Sequence, residues 1–321
     1  MSSTDNSPMA RLPSNLVSVF TQALKSYQIS NANFRVLCSL THSSLSSTPT
    51  EAPVPHPPQT PPKPLLVLDS SFNPPTLAHQ RMALSALSEH GQPSNDSTYK
   101  SRVLLLLATN NADKAPKPAA FPQRLAMMYI FAQDLLRSTA TETSHKNQCE
   151  GVDIAVTTEP YFHAKAAAIS ASDFYHGHNS SAGERSTTEL IFLTGFDTLV
   201  RIFNPKYYPD GSMATCLDPF FAHSKLRVTM RPDAEWGDAA AQRAYVRELR
   251  AGGLERVGGR TWWAERIEMV EERADGEEEV VSSTKVREAV QRRDWEALKK
   301  LVSEDIARWI REEGLYAEGG V

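Results

Sequence analysis

Apolar positions along this 321-residue chain fall into two kinds, short unbroken runs and helix-spaced stripes. The run Leu65-Leu66-Val67-Leu68, with prolines before it and a turn behind it, reads as a buried parallel strand. Residues 77–90 hold no proline or glycine, and Met82, Ala83, Ala86 and Leu87 recur at helical spacing. Residues 102–108 read as a second buried strand and 121–136 as a helix started by Pro122. Further strands are expected over 152–156, 190–194 and 226–230. Strands alternating with helices predict an α/β fold, a Rossmann-like, doubly wound and mostly parallel sheet with helices on both faces. Residues 284–316 close it as two or three short helices, a small C-terminal helical subdomain.

Ahead of this domain, Leu12, Leu16, Val19, Phe20, Ala23, Leu24 and Tyr27 form a helical stripe, and 34–40 can follow as a strand. Between 48 and 64 the prolines Pro49, Pro53, Pro55, Pro57, Pro58, Pro61, Pro62 and Pro64 exclude helix and central strand. We therefore divide the chain into an extension with an extended or disordered proline-rich linker, 1–63, and a main domain, 64–321. A second use of the linker is as a ligand for the aromatic groove of a protein partner. Residues 170–188, rich in Ser, His and Gly, read as a mobile insertion. The acidic stretch 264–281 reads as a solvated hairpin or helix face rather than a metal site, because its acids run consecutively.

Composition narrows the class. A hydrophobic fraction of 40% supports a real core, and a formal charge of -4 argues against nonspecific binding to nucleic acid or an anionic membrane. No run approaches a membrane span, and the first residues lack the basic-then-apolar pattern of a secretory signal. Cys38, Cys149 and Cys216 are widely spaced, with no pair at metal spacing, and read as free thiols in a reducing compartment. The expectation is an intracellular protein, cytoplasmic or nuclear, whose oligomeric state the sequence leaves open.

The chemistry starts where the first strand of the domain meets its helix. A helix beginning at Leu77 points its unpaired N–H groups into the turn, which makes an anion site from backbone geometry. Thr76 and His79, three apart, bring a hydroxyl and an imidazole to the same mouth. Ser283 and Thr284 open a later helix, where hydroxyls commonly cap, and Arg287 a turn on suits bidentate phosphate contact. Gly195 permits close backbone approach after a strand, and Asp197 can accept ribose hydroxyls or cap the next helix.

These segments resemble the signatures of a known family. Ser71-Phe72-Asn73-Pro74-Pro75-Thr76-Leu77-Ala78-His79 is similar to the (H/T)xxH phosphate signature of the nucleotidyltransferase superfamily, and Ser282-Ser283-Thr284-Lys285-Val286-Arg287 to its ISSTxxR signature. Gly195-Phe196-Asp197 and the closing residues 302–316 resemble the nicotinamide-mononucleotide adenylyltransferase branch. Four such motifs in family order, spanning roughly 64–316, make the signal specific. The chain departs from the pattern at Ser70, where much of the family has glycine, and at Ala78, where glycine or methionine is more usual.

The resemblance implies adenylyl transfer from ATP, with Mg²⁺, to nicotinamide or nicotinate mononucleotide in the biosynthesis of NAD. It implies His79, Thr76 and Arg287 as the catalytic set. ATP and its phosphates would meet Ser71, Phe72, Ser283, Thr284, Gly195 and Asp197. In the mononucleotide half it implies a phosphate-binding lysine, Lys114 or Lys117, and stacking aromatics at Tyr161 and Phe162; no protein metal ligand is implied. Two alternatives stand beside it: a cytidylyl- or phosphopantetheine adenylyltransferase, and an ATP-binding or ATP-hydrolysing regulator on the same fold.

Overall fold

The computed structural model describes residues 12–46, 54–90, 100–110, 119–141, 149–176, 188–208, 211–230, 236–271 and 281–317. Helix α1 (Leu16–Gln28), strand β1 (Phe34–Leu40) and helix α2 (His42–Ser46) come first. The main alternation follows: β2 (Leu65–Asp69), α3 (Leu77–His90), β3 (Ser101–Ala108), α4 (Phe121–Thr141), β4 (Cys149–Thr157) and α5 (Phe162–Ser170). After these come β5 (Leu190–Gly195), α6 (Phe196–Ile202), α7 (Met213–His223), β6 (Ser224–Met230), α8 (Ala239–Glu248) and β7 (Ile267–Glu271). Helices α9 (Ser283–Gln291), α10 (Trp295–Lys299) and α11 (Glu304–Glu312) close the described chain.

The strands form one seven-stranded sheet in the order β1-β4-β3-β2-β5-β6-β7. Pairs within β4-β3-β2-β5-β6-β7 are parallel, and β1 is antiparallel to β4. The predicted doubly wound sheet is present, and the segment read as an N-terminal extension supplies its β1 edge. Successive residues of β2 face opposite sides, as a strand requires. Leu66 and Leu68 join a core with α1, α3, α4 and α9–α11, whereas Leu65 and Val67 join a second core with α5–α8. From β2 the chain winds one way through β3 and β4, then resumes on the other side at β5. The crevice between the carboxyl ends of β2 and β5 is therefore the topological switch point, where ligands of such sheets bind.

Two expectations need correction. Part of the acidic stretch is neither hairpin nor helix, since residues 267–271 form edge strand β7, parallel to β6. Only Ile267 of that strand is buried, so an edge position with water on most of its surface tolerates Glu268 and Glu271. Helix α4 also runs on to Thr141, beyond the expected 136. Most of the expected insertion over 170–188 lies outside the described residues; its described start places the Tyr175 hydroxyl on Asp153 (3.1 Å). Asp153 belongs to a buried ion pair, receiving Arg102 Nε (2.6 Å) and Nη2 (2.8 Å) as well as the Ser39 hydroxyl (2.6 Å). The proline-rich segment, described from Val54, carries no helix or strand and is tied on through its Val54 and His56 carbonyls.

Cys38 and Cys149 are free and buried, and Cys216 is free and half-buried. Among the described residues no helix is long and apolar enough to cross a membrane.

Candidate active site

The turn after β2 is built from an unusual backbone position. Phe72 takes the left-handed region (φ 44°) with its ring fully buried, packed on His79 (5.6 Å) and Phe131 (6.3 Å). A bulky residue adopts that region at a cost of about 1–3 kcal/mol, held by its surroundings. Phe72 is thus a wedge that bends strand into helix. Its side chain cannot meet a nucleotide, and what it offers the site is backbone; Ser71 beside it is exposed at the mouth.

His79 is held on three sides. Its Nδ1 accepts the Thr76 backbone N–H (3.1 Å) and lies 2.8 Å from the Thr76 hydroxyl. An acceptor at Nδ1 assigns the proton to Nε2, which lies 2.9 Å from Ser70 Oγ. Burial pushes the imidazole down to about 4, so it is a neutral donor at physiological pH. Thr76 is only 1% exposed, and the structure gives its hydroxyl to the imidazole rather than to the open mouth where the resemblance puts a phosphate. Ser70 lies outside the positive-φ positions among the described residues, so serine in place of glycine strains nothing; it adds a bond to His79.

The second signature clasps the first. Ser282, rather than Ser283 or Thr284, caps α9 by accepting the Lys285 N–H (3.3 Å). That leaves the Ser283 hydroxyl to donate to the Pro74 carbonyl (2.8 Å), while Arg287 donates to the Asn73 carbonyl (2.9 Å) and the Thr284 hydroxyl (3.0 Å). Two residues 214 apart in sequence, Asn73 and Arg287, meet in one turn. Tyr316 closes the group from the far end of the chain, its hydroxyl donating to Asn73 Oδ1 (2.9 Å). The helix mouth is less open than a bare N-terminus, because the Leu77 N–H already bonds the Leu301 carbonyl (3.0 Å).

Sequence reasoning missed a cation here. Arg124, 5% exposed in the first turn of α4, donates through Nε to the Ala119 carbonyl (2.8 Å). Burial pulls its guanidinium below the ordinary value; the Tyr316 phenol opposes that shift and the charge of Arg287 adds to it. An arginine buried at a helix N-terminus works against the helix dipole, and that misfit is a signal a sequence reader can use.

Across the crevice, Gly195 ends β5 and α6 starts at Phe196. A Cβ at Gly195 would sit 2.7 Å from Asp197 Oδ1, so the glycine makes room for that carboxylate at the mouth. Tyr161, 37% exposed, stands with its ring parallel to His163 (5.8 Å, 5°) and 6.2 Å from Tyr207. Phe162 instead packs inward on Phe192 (5.4 Å). Of the two aromatics expected at the base, Tyr161 is the exposed one; Tyr207 and His163 pack beside it from positions no spacing rule marks. Lys114 and Lys117 lie outside the described residues. Trp263 is fully buried and packs against Phe203 and Phe221, whereas its neighbour Trp262 is 40% exposed.

No family model matches the chain. A Schizosaccharomyces pombe protein named "Putative nicotinamide mononucleotide adenylyltransferase" is 33% identical over 253 residues, covering 78% of this chain and 84% of that one. This chain belongs to the nicotinamide mononucleotide adenylyltransferase family. Similar solved structures include a Plasmodium falciparum nicotinic acid mononucleotide adenylyltransferase complexed with NaAD (12% identity, TM-score 0.42, 79% of this chain and 97% of that one). Another is the Vibrio parahaemolyticus "Putative Nicotinate-nucleotide Adenylyltransferase" (16% identity, TM-score 0.32, 80% and 98%). Within this family member the two phosphate signatures are one hydrogen-bonded unit, and the Gly195–Asp197 element faces them across the switch point.

Proposed function

We propose that the chain joins ATP to a pyridine mononucleotide in NAD biosynthesis. A 5′-phosphate oxygen of the mononucleotide attacks the α-phosphorus of ATP; a P–O bond forms there as the bond to the β-phosphate breaks and pyrophosphate leaves. The attacking oxygen is already ionised, so no general base or protein nucleophile is needed, and positioning with charge neutralisation suffices. His79 donates through Nε2–H to the α-phosphoryl group, exchanging its bond to Ser70 for one to substrate. Thr76 fixes the imidazole in the tautomer that allows this. Arg287 and Arg124 offset triphosphate charge, Ser71 lines the mouth, and Asp197 accepts ribose hydroxyls.

A divalent cation carried in on the triphosphate would offset further charge. The metal-ligand cluster among the described residues, Glu89, His90 and Glu268, includes the last residue of α3, a helix length of about 20 Å from the mouth. Arg227 already pairs with both glutamates there, at 2.7 and 3.1 Å.

The observation that carries the proposal is the clasp of Arg287 and Ser283 on the Asn73–Pro74 backbone, directly beside His79. Purified chain given ATP, Mg²⁺ and nicotinamide mononucleotide should form dinucleotide and pyrophosphate in equal amounts. ADP and phosphate without dinucleotide would overturn the reading in favour of an ATP-hydrolysing protein.

A further inference from the structure

The two strand ends at the switch point carry a polar group that the transfer chemistry above does not use. Asp69, the last residue of β2, accepts from Lys165 Nζ at 2.5 Å, and both side chains are nearly fully buried (7% and 6% exposed). Isolating an ion pair from water costs several kcal/mol per ion before attraction offsets it, so such a pair is weak grounds for a stability role. The sheet's other buried pair shows what a structural one looks like here: Asp153 receives Arg102 at both oxygens, together with Ser39 and Tyr175. Among the described residues the Asp69 side chain bonds Lys165 alone.

A second observation points the same way. Thr194, 4% exposed, keeps a buried hydroxyl with no hydrogen-bond partner among the described residues. Thr194 is one step beyond the paired Leu68 and Leu193, directly across from Asp69, and neighbouring strands stand about 5 Å apart. Alternation along each strand puts Asp69 on the face of Val67 and Thr194 on the face of Phe192, which is the same face. Phe162 packs on Phe192, and Lys165 Nζ lies 5.2 Å from the Phe162 ring centre. Tyr161, one turn before Lys165 on α5 and bonded to its N–H through the backbone carbonyl, packs beside Tyr207.

We propose that Asp69, Lys165 and Thr194 form a floor beneath the Tyr161–Tyr207 slot that reads the carboxamide of the pyridine ring, so that the chain selects the amide mononucleotide over the acid. This rests on the transferase reading above. The floor is neutral in sum and offers donors, the Lys165 ammonium and Thr194 hydroxyl, beside an acceptor, the Asp69 carboxylate. A primary carboxamide presents the matching acceptor and donor. A nicotinate carboxylate has no donor for Asp69 and meets its charge at close range.

The test is kcat/KM, with the affinity of each mononucleotide measured by calorimetry, for the full chain and two variants. Wild type should favour the amide by at least about tenfold, since a site built on a donor–acceptor match rejects the analogue lacking it. The Asp69→Asn/Lys165→Gln double variant, which leaves no unpaired charge, should shrink that ratio to about threefold or less through KM, with circular dichroism verifying the fold. Thr194→Val should weaken both mononucleotides about fivefold at unchanged kcat. Equal use of both by wild type, a preference for the acid, or an unchanged ratio in the folded double variant would overturn the floor. If no dinucleotide forms from either, the transferase reading falls by itself. The calorimetric affinities then judge the floor alone, and equal values reject it.

Discussion

The two sides of the crevice are finished to different degrees. On the α3 side His79, Thr76, Ser70, Ser283, Arg287 and Tyr316 all bond one another or the turn that carries them. On the α5–α6 side two buried polar atoms, Thr194 Oγ1 and His163 Nδ1, have no hydrogen-bond partner among the described residues. Preorganised dipoles are worth most where charge develops, and they need no rearrangement when it does. In the proposed reaction the rigid side takes the triphosphate and the unsaturated side the mononucleotide. Changes on the rigid side should therefore strike turnover, and changes on the other side should strike binding.

The largest expected effect is His79→Ala, which should lower kcat by about 10²–10³-fold in a folded protein, the loss typical of one removed transition-state donor. A folded, active variant would remove His79 from the mechanism. Gly195→Ala is the counterpart across the crevice. The new methyl displaces the flexible Asp197 carboxylate, so the melting temperature should hold while KM rises roughly fivefold or more, as for a displaced hydrogen bond. A fall in kcat at constant KM would blur the division of labour between the sides.

Ser70→Ala should have a smaller effect, in the opposite direction. It removes the bond that His79 must exchange for substrate, and about 0.5–1.5 kcal/mol of net hydrogen-bond energy becomes a two- to tenfold gain in kcat/KM. A loss would make Ser70 a needed positioner instead. Finally, the imidazole can be followed without activity. One histidine resonance, absent in His79→Gln, should titrate near pH 4. Because the folded value lies below the unfolded one, near 6.5, the associated stability is full above about pH 6.5. It is lost as pH falls through the folded value. A titration near 6.5 would show His79 to be solvated and free.

The central strand and helix were legible almost to the residue. Leu65–Asp69 and Leu77–His90 follow from an apolar run between prolines and from a stripe free of breakers. The anion site was legible in kind but not in detail. Nothing in the spacing of Thr76 and His79 says that the hydroxyl serves the imidazole, and the cap on α9 falls one residue earlier than Ser283. What stayed hidden depends on tertiary partners. Asp69 and Lys165 are 96 residues apart, Asn73 and Tyr316 243 apart, and no local period joins them. Strand β7 was masked by its own acids, which an edge strand tolerates and a pattern rule discounts.

The claim beneath all of this is single-step transfer by positioned donors, with no covalent adenylyl-protein. Running the reaction with ATP made chiral at the α-phosphorus by sulfur substitution tests that directly. The account predicts inversion of configuration in the dinucleotide and no label left on the protein. Retention, with label trapped on the chain, would contradict it.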